Sequence, residues 1–90
     1  MPRVVALSPV DCQEVFAALL QQLPDEDARH ARACMATGEP VGEREVAVIK
    51  AALLYARDHT PKLSDARHLH SVYRQICAAA DTVPFILTDN

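Results

Sequence analysis

Apolar residues recur at helical spacing in four stretches of this chain. After Ser8, the residues Cys12, Val15, Phe16, Leu19, Leu20 and Leu23 fall on one stripe, with Asp11, Glu14 and Gln21 turned away from it. Ser8 suits an N-cap, Pro9 the first helical position, and Asp11 the third, where a carboxylate meets free N–H groups. Pro24 disfavours helical geometry at Leu23 and has no N–H, so the first helix is predicted over about 9–23. Asp25, Glu26 and Asp27 set three carboxylates at the positive end of a second helix, about 25–36, which Gly38 stops. Its apolar face, Ala28, Ala31 and Met35, is thin and predicts weak packing at the surface.

The run "TGEPVG" is a linker, and a third helix follows over about 43–58. That helix is apolar around most of its girth. Val46, Ile49, Leu53 and Ala56 lie on one side, Val48, Ala52 and Tyr55 on the next, with a polar seam at Lys50, Arg57 and Asp58. So wide an apolar arc predicts a helix central to a bundle or shared with a partner. "HTP" breaks it, and Ser64 is the expected cap of a fourth helix, about 64–80. There Leu69, Val72, Tyr73, Ile76 and Ala80 form a stripe opposite Arg67, Ser71 and Arg74. The ends, 3–7 and 83–88, are extended and β-prone. They either pair as a ribbon leaning on the helices or each cover the bundle separately. The pattern predicts an all-α fold, a small four-helix bundle-like domain with short extended N- and C-terminal segments, in one domain over 1–90.

"DARH" occurs twice, at Asp27–His30 and Asp65–His68. The following residues, "ARACMA" and "LHSVYR", share no apolar phase, so the echo reads as two helix starts and not as a repeat. Composition reinforces the helical reading, since the apolar half of the chain is mostly Ala, Leu and Val. The net charge of −3 is unevenly spread: residues 1–43 hold seven acidic against three basic groups, and 44–90 hold five against six. This excludes a generic polyanion binder. Cys12, Cys34 and Cys77 form no CxxC pair, no leader is legible, and no apolar run approaches the ~20 residues that span a bilayer. A cytoplasmic, reducing setting without a membrane partner is expected.

Candidate chemistry is sparse. His30 and Cys34, at i and i+4, share a helix face and could reach one metal ion. In "DCQEVFAALLQQL" and "HARACMAT" the chain resembles the start of a zinc-binding anti-sigma domain. The resemblance implies ligand positions at Cys12, His30 and Cys34, with Thr37 standing where the last cysteine would be, and a helical domain that holds a partner. Hydrolase, metalloprotease and phosphate-loop patterns are absent, so neither an enzyme nor a cofactor is expected. Arg57, Lys62, Arg67, His70 and Arg74 make the most basic surface and support an alternative, a DNA-binding regulator reading through the fourth helix. The larger signal is apolar. Val48 and Tyr55 on the third helix, with Val83, Phe85, Ile86 and Leu87 in the tail, exceed what one small bundle covers easily. They predict a small regulatory or inhibitory protein that acts by contact with another protein or with itself as a homodimer.

Overall fold

A computed structural model describes residues 2–89. Strand β1 (Arg3–Leu7) leads into helices α1 (Pro9–Leu20), α2 (Glu26–Thr37), α3 (Glu43–His59) and α4 (Leu63–Ala79). A 3-10 turn at Ala80–Thr82 then precedes strand β2 (Phe85–Asp89). The fold is mostly helical, with a small two-stranded sheet that the all-α expectation lacked.

The helix starts follow their caps. Ser8 Oγ accepts from the Asp11 N–H at 3.1 Å, and Asp25 Oδ1 accepts from the Asp27 and Ala28 N–H groups at 2.8 and 3.1 Å. α2 stops at Gly38, whose φ of 73° lies in the left-handed region open to glycine, and the Glu39 N–H closes back onto the Cys34 carbonyl at 2.9 Å. At α3 the Glu45 carboxylate reaches back to the Gly42 N–H at 2.9 Å.

Two boundaries differ from expectation. α1 ends at Leu20 and not near Leu23, because Leu20 and Leu23 point into solvent and nothing buries a further turn. The chain there tightens into i to i+3 bonds, Gln22 N–H to Leu19 O and Leu23 N–H to Leu20 O. α4 begins at Leu63 with Lys62 as its N-cap, so Ser64 sits inside the first turn and caps nothing.

α3 is central and touches α1, α2 and α4. One cluster joins Val15, Ala18 and Leu19 of α1, Val46, Ile49, Ala52 and Leu53 of α3, and Leu69, Val72 and Ile76 of α4. α2 is not weakly packed. Ala28, Ala31 and Cys34 are all buried, and their small side chains let the helix approach α1 and α3 closely. A thin apolar face here means close packing of small groups.

The chain ends pair in parallel, Arg3 beside Phe85 through Leu7 beside Asp89. Alternation sorts the ribbon into two faces. Arg3, Val5 and Leu7 with Phe85, Leu87 and Asp89 face inward, while Val4 and Ala6 with Ile86 and Thr88 face outward. Phe85 and Leu87 are buried beneath β2, where the ribbon packs on α1 and α2. Val41 flanks β2 on its other side through two backbone bonds with Phe85, at 2.7 and 3.2 Å. Val41 therefore covers β2 only at Phe85, and the side of β1 away from β2 has no strand partner among the described residues.

Candidate functional site

The N-terminal half of α1 carries the one buried charged residue among those described, Asp11. The sequence places it off the apolar stripe, yet its carboxylate bridges to α4. Oδ1 lies 2.9 Å from His68 Nε2, and Oδ2 accepts from the Gln75 amide at 3.1 Å. His68 and Gln75 are seven apart, two turns on one face, so both can converge on a carboxylate between them. The helical spacing of these two residues is the only sequence trace of this contact.

Because Asp11 is held from two sides, removing it breaks both contacts between α1 and α4. Asp11→Ala is expected to lower unfolding free energy by about 1.5–3 kcal/mol, the range for hydrogen bonds to charged groups. Urea denaturation followed by circular dichroism measures it. A change within about 0.5 kcal/mol would match an ordinary surface substitution and contradict the bridge.

Beside this contact opens a cleft of about 380 Å³ between α1, the C-terminal end of α3 and the start of α4. Ala17, Ala18, Ala56 and Leu69 contribute its apolar lining, and Glu14, His59, Asp65 and His68 its titratable groups. His59 is fixed twice. Its Nδ1 lies 2.8 Å from the Tyr55 carbonyl, and its ring stacks on Tyr55 at 3.9 Å.

The second candidate is the His30–Cys34 pair. His30 Nε2 lies 3.8 Å from Cys34 Sγ, while Nδ1 faces Glu45 Oε2 at 3.4 Å. The arrangement resembles a thiol–imidazole–carboxylate relay in order, but not in chemistry. Burial pushes the Cys34 thiol up, with Glu45 and Glu39 adding to the effect, so the reactive thiolate is disfavoured. Glu45 is engaged on the far side of the imidazole, and Thr37 Oγ1 donates to the Ala33 carbonyl at 2.9 Å. Cys12, buried on α1, is likewise pushed up by burial, then by Asp89 and Asp11. Among the described residues no three His, Cys, Asp or Glu side chains converge as ligands. The ligand set implied by the anti-sigma resemblance is therefore not assembled.

These thiols set two expectations. Cys77 is partly exposed whereas Cys12 and Cys34 are buried, so a thiol reagent on native protein should label one cysteine quickly and two slowly. The pH effect has a definite sign. Cys12 and Cys34 bind protons more tightly folded than unfolded, so stability holds below the ordinary thiol range. It is then lost as pH rises from about 8.5 through the raised folded values. Urea midpoints at a series of alkaline pH values, compared with a Cys12→Ala/Cys34→Ala variant, isolate this contribution.

The basic residues are partly spent within the protein. Arg57 donates to Asp58 at 3.1 Å and to His70 Nδ1 at 2.9 Å, tying α3 to α4. Arg67, His70 and Arg74 line a shallow groove along α4 with Ser71 and Gln75, and Lys62 stands exposed at its N-cap. This leaves a basic strip on a single helix.

The apolar candidates separate. Phe85 and Leu87 belong to the core and are removed from the contact surface, because they alternate onto the face of β2 that packs on the helices. Val48 and Val83 are partly buried against that core. Tyr55 is about half exposed, but it lies twelve residues into α3, roughly 18 Å along the axis from the Val41 end. Ile86 is partly exposed on the outward ribbon face, directly beside Val4, which is 58% exposed. Val4 and Arg3 are not among the contact residues that the apolar pattern suggests, although "RVVAL" alternates as a half-buried strand does. No helix of the described residues is long and apolar enough to cross a membrane. No protein family, curated protein or solved structure matches this chain.

Proposed function

We propose that this protein is a small non-enzymatic regulator that works by protein–protein contact, with self-association through the β1 edge as its basic assembly. The observation that carries this reading is the open side of β1 beneath an exposed Val4. A bare strand edge offers unpaired N–H and C=O groups to another chain. Folded proteins commonly blunt such edges with charge, proline or cover. Within β1 only Arg3 is charged, and its position supports a second copy as the occupant.

In an antiparallel pair of β1 strands centred on Val5, Arg3 lies opposite Leu7 of the second copy. That Leu7 is flanked on its other side by Asp89, on the same inward face. The Arg3 and Asp89 positions are then two strand spacings apart, about 9.6 Å, within reach of an arginine extended toward a carboxylate. A two-fold axis repeats the pair, so one contact gives two complementary charges. Val4 and Ile86 of each copy extend an apolar strip across the outer face of the resulting four-stranded sheet.

Five residues per strand make a small interface, so the expected affinity is micromolar rather than nanomolar. Light scattering after size exclusion tests the reading. The weight-average mass should climb toward twice the monomer mass as concentration rises through that range. A constant monomer mass would end the self-association reading.

A further inference from the structure

One side of α4 presents two free cations in line with an uncovered apolar side chain. Leu63, Arg67, Arg74 and Ala78 follow one another by four, seven and four residues, so they stand in a row along the helix. Arg67 and Arg74 are about 10.5 Å apart along the axis. Neither is in an ion pair among the described residues, whereas Arg57 is taken up by Asp58. With His70 and Gln75 they wall a shallow groove over the small residues Ser71 and Ala78, and no carboxylate lines it. Leu63 is 67% exposed, the most exposed large apolar residue among those described.

We propose that this face of α4 receives an acidic helix of a partner protein, one with two carboxylates seven residues apart and an apolar residue one turn beyond. The carboxylates match the two free guanidinium groups, and the apolar residue covers Leu63. Ser71 and Ala78 leave room for the incoming backbone. Leu63 favours a protein over a nucleic acid, because a phosphate backbone offers an exposed leucine no partner. Two free arginines on a chain of net charge −3 are also few for duplex binding, which draws on many phosphate contacts. No helix of this chain holds two carboxylates seven apart, so a second copy is not the occupant. The contact is separate from β1 and does not depend on self-association.

The test is NMR titration of the intact protein with a synthetic alanine–glutamine helix bearing two glutamates seven apart and a leucine one turn outside each. That symmetric layout serves either direction of approach. The peptide should give saturable shifts at Leu63, Arg67, Ser71, Arg74 and Ala78. Its counterpart with glutamine for glutamate should bind about tenfold more weakly, the product of two exposed charge pairs. Leu63→Ala should weaken binding by a similar factor. Arg67→Glu/Arg74→Glu should lose the glutamate peptide and bind a counterpart with lysines in place of the glutamates. All three positions are exposed, so the variants are expected to fold. No saturable shifts, equal binding of the glutamine peptide, undiminished binding by either variant, or no gain of the lysine peptide would overturn the proposal. Tighter binding of a short DNA duplex would overturn it in favour of a nucleic acid.

Discussion

Phe85→Ala is expected to destabilise the protein by about 3–5 kcal/mol, the range for emptying a buried phenylalanine site. At the usual per-residue scale, a ninety-residue chain has only roughly 5–13 kcal/mol to lose. The phenyl ring is fully buried, and the Phe85 backbone carries both bonds to Val41 while the residue stands beside Arg3 in the ribbon. Truncation therefore loosens three segments at once: β2, the segment entering α3, and β1. The thermal midpoint should fall by at least about 12 °C at this chain length. The result also separates two roles for the residue. A surface contact would leave stability within about 0.5 kcal/mol and weaken association; a core residue does the reverse.

Val4→Lys is expected to abolish self-association while leaving stability nearly unchanged. Val4 faces outward, so the folded monomer accommodates the lysine at a cost within about 0.5 kcal/mol. At the proposed junction, each lysine would sit opposite Ala6 of the second copy, and the two-fold axis brings in a second like charge. Lysine on an edge strand is a recurrent natural device against strand pairing. A loss of about 100-fold in dimer affinity, or roughly 2.7 kcal/mol, is expected. Unchanged association with Val4→Lys would place the contact elsewhere.

The helices were legible because their signals are local. Ser8, Asp25 and Gly38 act within a turn of where they stand, and each does so in the structure. The two DARH copies are likewise two helix starts, with Asp27 and Asp65 in first turns. Their histidines then do something that no local pattern encodes. His30 meets Glu45 of α3, and His68 meets Asp11 of α1.

The features missed are those that depend on distant partners. Asp11 reads as solvent-facing until α4 supplies His68 and Gln75. Leu20 and Leu23 continue the apolar stripe, but no neighbouring element reaches them. The tail residues Phe85 and Leu87 look like surplus apolar surface because pairing of opposite chain ends has no short-range signature. That pairing also decides the candidate contact. It buries half of "FILTD" and turns "RVVAL" into the edge.

Sedimentation equilibrium on a charge-swap set tests the β1 junction: the unaltered protein, Arg3→Asp, and Arg3→Asp/Asp89→Arg. Pairing of β1 edges predicts a reversible dimer for the unaltered protein, a monomer for Arg3→Asp, and a dimer restored by the double exchange. A monomer in all three, or a dimer indifferent to Arg3→Asp, would contradict it.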